Sequence, residues 1–133
     1  MPVEQRPVCL VVEDEARNLM NAMTIAEECD FDVIQAVNAE DALKLLEART
    51  DIRVVFTDVH LPGSVDGLSM ARTVRERWPD IHILVASGKV DIDPALMPSR
   101  GVFLPKPYEP DMLEATLRTF MAMDASQTPT AQS

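Results

Sequence analysis

Five short runs of β-branched and aliphatic residues alternate with stretches of helical periodicity, and that alternation restricts the chain to very few folds. The runs occupy 7–12, 31–37, 52–57, 81–86 and 101–104. Strands separated by helix-length segments signify βαβ units and a parallel sheet, because parallel neighbours need a long crossover. After the first run, Ala16, Leu19, Met20, Met23 and Ala26 recur at helical spacing. This predicts an amphipathic helix over 15–29, with Met20 and Met23 packing on its core face. Asn38 suits the N-cap of a second helix that carries Ala42, Leu43 and Leu46 and ends near Arg49.

A third helix is expected after the Pro62-Gly63-Ser64 turn, presenting Leu68, Ala71, Val74 and Trp78 and stopped by Pro79. Its exposed face reads as basic, with Arg72, Arg75 and Arg77. The last helix opens near Pro110, whose missing N–H costs nothing there, and buries Leu113, Leu117 and Phe120 or Met121. The segment 91–100 contains Pro94 and Pro98, and a proline four residues into a helix breaks it. The fourth helix is therefore expected to be short or irregular.

VCLVV and VVF lack polar alternation, as strands covered on both faces do. Right-handed crossovers then give an α/β fold, a doubly wound five-stranded parallel sheet in the flavodoxin-like order 2-1-3-4-5. At 133 residues, 47% of them hydrophobic, the chain holds one domain with one ample core. We expect that domain over 1–123. The Ser/Gln/Thr/Pro-rich stretch 124–133 is expected to be a disordered tail.

Polar residues stand where the strand runs stop: Glu13 with Asp14, then Asp58, Ser87 and Lys106. Ligands of such sheets bind beyond the carboxyl ends of the strands, at the point where strand order reverses. Strands one and three flank that point, so Asp14 and Asp58 face each other across it. Three carboxylates, a hydroxyl and an ammonium suit a hard cation such as Mg²⁺ together with a phosphoryl group. A carboxylate is already ionised at neutral pH and attacks phosphorus without a general base. It still has to meet an anion, and two unit charges about 4 Å apart repel by about 4 kcal/mol at an effective dielectric near 20. A divalent metal and Lys106 reverse that sign.

The balance of 22 acidic against 12 basic side chains, a net charge of −10, argues against nucleic-acid binding. Cys9 and Cys29 lack metal-ligand spacing and read as reduced packing thiols. The first apolar run is about five residues and ends in Glu-Asp-Glu, too short for a signal core of about 7–15. No run approaches the ~20 residues of a membrane span. A cytoplasmic protein is expected, with no membrane contact.

VVEDE, TDVHLPG followed by DG, ASG and LPKPY occur in an order and at a spacing that resemble the response-regulator receiver domain, over the chain to about Met121. The resemblance implies that Asp58 accepts a phosphoryl group from a sensor histidine kinase or a histidine phosphotransfer protein. It implies Mg²⁺ held by Asp14, Asp58 and the backbone carbonyl of His60, with Glu13 acting through water. Ser87 and Lys106 match the groups that bind the phosphoryl oxygens. Phe103 falls at the aromatic switch position, and Lys106–Pro107 at a peptide bond typically cis. The phosphoryl group would draw Ser87 inward and let Phe103 turn, biasing a two-state equilibrium read by a protein partner, or the phosphate would pass onward.

His60 lies two residues after Asp58 and Lys89 two after Ser87. Both are expected to overhang the acyl phosphate and set its lifetime. His82 alternates with apolar residues and reads as a satisfied, partly buried imidazole. Three other functions compete. A small aspartate-nucleophile phosphohydrolase would carry a second acid two residues after the nucleophile, where this chain has His60. A flavodoxin-like cofactor binder would need a Gly-rich loop after the first strand, which is missing. The third is a receiver-shaped interaction module that is never phosphorylated.

Overall fold

The first strand, β1 (Val8–Val12), is buried along its whole length, since helices cover both faces of the sheet around it. The structure, a computed structural model, describes residues 6–88 and 93–127. After β1 come α1 (Ala16–Glu28), β2 (Asp32–Ala36), α2 (Ala39–Ala48), β3 (Ile52–Asp58), α3 (Gly67–Arg77), β4 (His82–Ser87), a 3₁₀ turn (Pro94–Leu96), β5 (Val102–Pro105) and α4 (Pro110–Gln127). The strands form one five-stranded parallel sheet in the order β2-β1-β3-β4-β5. This is the flavodoxin-like arrangement expected from the sequence.

Side chains divide between the two faces by strand parity. Val8, Leu10 and Val12 join the cluster beneath α2 and α3, with Ala42, Leu46, Met70 and Val74. Cys9 and Val11 join the opposite cluster beneath α1 and α4, with Ala22, Phe31, Leu113 and Leu117. Fully burying one such aliphatic side chain contributes about 1.5–3 kcal/mol. The two clusters therefore hold β1 and β3 rigidly side by side.

Caps place the helices. Asn38 Oδ1 accepts from Asp41 N at 2.7 Å, as its position predicts, and Asp66 Oδ1 accepts from Ser69 N at 2.7 Å. Glu15 caps α1, its carboxylate accepting from Asn18 N at 2.8 Å. The fourth helix is reduced to three residues of 3₁₀ turn, and Pro98, close behind it, is buried.

Three expectations require correction. Met20 is 67% exposed and does not pack in the core; the buried stripe of α1 runs through Leu19, Ala22 and Ala26, with Met23 half-buried beside it. A step of one residue turns about 100° around a helix, so Met20 lies beside the stripe that Leu19 begins. Arg75 is only 9% exposed, although the basic face of α3 was expected to be solvated. Its guanidinium donates to the carbonyls of Ser99 (2.7 Å), Pro79 (2.8 Å) and Ile81 (2.7 Å), which satisfies a buried charge with three acceptors.

The third concerns the end of the domain. α4 continues to Gln127, so the boundary expected after Met123 falls inside a helix. Asp124 is tied to the sheet, accepting from Arg53 Nη2 at 3.1 Å and lying 2.8 Å from His82 Nε2. The imidazole of His82 stacks on Phe120 with centroids 4.6 Å apart, and is thus partly buried and partnered as expected. The rest of the expected tail, 128–133, lies outside the described residues.

Candidate functional site

Parallel strands bring all their carboxyl ends to one rim of the sheet, and five polar side chains converge there. Glu13 and Asp14 follow β1, Asp58 ends β3, Ser87 ends β4 and Lys106 follows β5. Asp58 and Ser87 are the last residues of their strands rather than the first beyond them. Carboxylate oxygens of Glu13, Asp14 and Asp58 lie within 4.8 Å of one another. Lys106 Nζ donates to Asp58 Oδ2 at 3.0 Å and to Glu13 Oε1 at 3.5 Å.

The burial of these groups is graded. Glu13 is 7% exposed, Asp58 half-buried and Asp14 exposed. Burial pushes the Glu13 carboxyl above its usual range, opposed by the N–H of Glu15 that donates to it and by Lys106, and reinforced by the charge of Asp58. One ammonium against three carboxylates leaves an excess of negative charge. Hard oxygen donors at this spacing fit Mg²⁺, which prefers carboxylates and water.

Local structure fixes Asp58. Its Oδ1 accepts from His60 N at 3.3 Å, and Val59 N donates to Ala86 O at 3.0 Å. Gly67 N donates to Val59 O at 2.8 Å, bringing the start of α3 against the end of β3. A β-carbon on Gly67 would collide with the carbonyl of Asp58 and crowd Thr57 Oγ1, so this position requires glycine. Ser87 is 1% exposed, and its carbonyl accepts from Lys106 N at 2.9 Å, which ties the ends of β4 and β5 together.

The other predicted residues are dispersed around this rim. The His60 side chain is exposed, and it is the backbone N–H of that residue that touches Asp58. Phe103 is half-buried on β5, paired in register with Val85. The Lys106–Pro107 peptide is cis, as the motif implied. Lys89 lies outside the described residues.

Sequence reasoning overlooked Tyr108. Its ring is half-buried, meets Phe56 edge-on with centroids 6.0 Å apart, and shares a small cavity with Glu13, Asp58 and Asn18. Burial pushes its hydroxyl up to about 12, with the charges of Glu13 and Asp58 adding to the effect. The signal was its place two residues after Lys106, in a motif read only for its lysine and the peptide bond to Pro107.

Comparison with known proteins agrees with this geometry. A family model described as response regulator receiver domain matches residues 9–118. The hydrogenase transcriptional regulatory protein HoxA of Cupriavidus necator is 32% identical over 119 residues, covering 86% of this chain and 24% of that protein. HoxA of Bradyrhizobium diazoefficiens is 33% identical over 113 residues, covering 82% and 23%. The chain thus spans about a quarter of the length of these relatives. Among solved structures, the signal receiver domain of an HD domain-containing protein from Pseudomonas fluorescens Pf-5 superposes with a TM-score of 0.82 at 24% identity, covering 92% of this chain and 99% of that one. A response regulator receiver protein from Sinorhizobium medicae also gives 0.82, at 23% identity, covering 89% and 96%. At these identities the two structures speak for the fold alone.

Proposed function

This chain belongs to the response regulator receiver domain family, and from that membership we propose that Asp58 is the residue that accepts its phosphoryl group. The observation that carries the assignment is the ammonium of Lys106, 3.0 Å from Asp58 Oδ2, within a group of carboxylates spaced for one divalent cation. The family is one of signalling domains and implies a histidine kinase or a histidine phosphotransfer protein as donor.

In this reading an Asp58 oxygen attacks phosphorus in line with the nitrogen of the donor's phosphohistidine. Lys106 leaves its contact with Asp58 to pair with a phosphoryl oxygen, and the Ser87 hydroxyl holds another. Asp14, Asp58 and the backbone carbonyl of His60 would hold Mg²⁺, with Glu13 reaching it through water. Bound there, the ion supplies charge neutralisation of the phosphoryl oxygens. The chain catalyses only its own phosphorylation and dephosphorylation. His60 and Lys89, the latter outside the described residues, set the acyl-phosphate lifetime by their positions in sequence beside Asp58 and Ser87.

Output follows from Ser87 and Phe103. Drawing the Ser87 hydroxyl toward the phosphoryl group opens room on the face where Phe103 is half-buried, and the changed surface is read by a protein partner, or the phosphate passes onward. A cytoplasmic location accords with the buried free thiols Cys9 and Cys29. The test is labelling with a small phosphodonor and Mg²⁺, read by intact mass and site mapping. One phosphoryl group on Asp58, lost in Asp58→Asn and without divalent ion, is expected. Labelling that survives either change sinks the assignment.

A further inference from the structure

Tyr108 stands between two spaces. On one side is a groove of about 660 Å³ between α1 and the chain entering α4, lined in part by Asn18, Lys106 and Pro107. On the other is a cavity of about 10 Å³ that Tyr108 shares with Glu13, Asp58 and Asn18. Phe56 braces the ring from the sheet side, with planes 66° apart, and the ring is only half-buried. Lys106 is the one charged residue among the described residues that line the groove, in a chain of net charge −10. A donor approaching along this groove meets a cation for its phosphoryl oxygens and an aromatic ring for the group that carries the phosphoryl. Both stand beside Asp58.

We infer that Tyr108 is a specificity residue for the phosphodonor, its ring packing against the leaving group and favouring phosphoryl groups carried on an imidazole over those carried on ammonia. The inference rests on Asp58 being the acceptor. In the step concerned, an Asp58 oxygen forms the new P–O bond as the P–N bond breaks. The bonding pair stays on the ring nitrogen, and the ring, already protonated on its other nitrogen, departs as neutral imidazole. A flat heteroaromatic leaving group gains an aromatic contact with Tyr108. Ammonia has no surface with which to gain one.

The experiment compares initial phosphorylation rates with phosphoimidazole and with phosphoramidate, in wild type, Tyr108→Phe, Tyr108→Leu and Tyr108→Ala, with Mg²⁺ saturating. The readout is the ratio of the two rates. Partial unfolding lowers both rates by the same factor, so a merely structural role of Tyr108 leaves the ratio unmoved. We expect the wild-type ratio in the Phe variant and a ratio about three- to tenfold lower in Leu and Ala, the size of one aromatic contact. Should the Ala variant fail to fold, the Leu variant decides. A Leu ratio within about twofold of wild type, a margin below one aromatic contact, overturns the inference. If neither donor labels the wild type on Asp58, the acceptor assignment has failed, and the inference falls with it.

Discussion

Lys106 Nζ bridges Asp58 Oδ2 at 3.0 Å and Glu13 Oε1 at 3.5 Å, so the resting site already holds a cation against two of its three carboxylates. That ammonium competes with any divalent ion for the same oxygens, yet in the proposed function it also pairs with the incoming phosphoryl group. Lys106→Met is therefore expected to bind Mg²⁺ more tightly, by up to about tenfold for a half-screened pair, while phosphorylation slows sharply. Calorimetric Mg²⁺ titration and donor labelling separate the two effects. Weaker Mg²⁺ binding in the variant would contradict the competition.

Glu13 is held above the usual carboxylate range, chiefly by burial. The folded state then binds a proton more readily than the unfolded chain. The sign follows: stability of the metal-free protein is greatest below the unfolded value and declines as pH rises through the folded one. Glu13→Gln removes that decline. Urea unfolding without divalent ions should show the variant gaining on wild type from about pH 4 to neutrality, while Mg²⁺ binding weakens.

Tyr108 is the single tyrosine of the chain, so its phenolate absorbance is unambiguous. Titration should centre at about 12. Asp58→Asn removes one of the two charges that add to burial, and should lower the midpoint without returning it to about 10, because burial is the largest cause and persists. A midpoint near 10 in wild type would place the ring in solvent and away from the carboxylates.

Arg75 gathers three carbonyls from the segments that follow α3. Arg75→Met keeps the stem and takes this donor from the carbonyls of Ser99 and Ile81, Pro79 O still accepting from Arg100 Nη2 at 2.9 Å, at a cost on the order of 2–3 kcal/mol. Arg72→Met, on the exposed side of the same helix, should cost under about 0.5 kcal/mol. Denaturant midpoints for the two variants test the contrast.

The Cys9 thiol is pushed up to about 12, first by burial and then by Cys29, and burial raises Cys29 as well. Thiolate is the reacting species, and at about pH 8 the Cys9 fraction is on the order of one in ten thousand. A disulfide reagent should leave Cys9 untouched in native protein and titrate both thiols in denaturant. Rapid modification of Cys9 before unfolding would contradict its complete burial.

Strand order and the site were legible because both follow from local signals. Apolar runs mark strands, a parallel sheet aligns their ends, and Asp58, Ser87 and Lys106 needed only those ends to be brought together. The errors share one cause, since periodicity assigns faces within a helix and knows nothing of neighbours. Met20 has the right residue type one step off the buried stripe, and Arg75 turns inward toward carbonyls that meet it only in three dimensions. The end of α4 was not legible, because what holds Asp124 there are Arg53 and His82, 71 and 42 residues away in sequence. Tyr108 was hidden by a motif read for Lys106 and its bond to Pro107.

That anchor gives α4 a particular reach. The fifteen residues from Pro110 to Asp124 extend about 22 Å, from the chain just beyond Tyr108 to the amino-terminal ends of β3 and β4, where Arg53 and His82 clasp Asp124. The helix is a strut pinned at its foot, with its head beside the chemistry. With its foot tied in this way, the rod is expected to answer a push at its head by tilting about that lower pivot rather than by sliding along the sheet, which would carry an event at one pole to the flank that other molecules can touch.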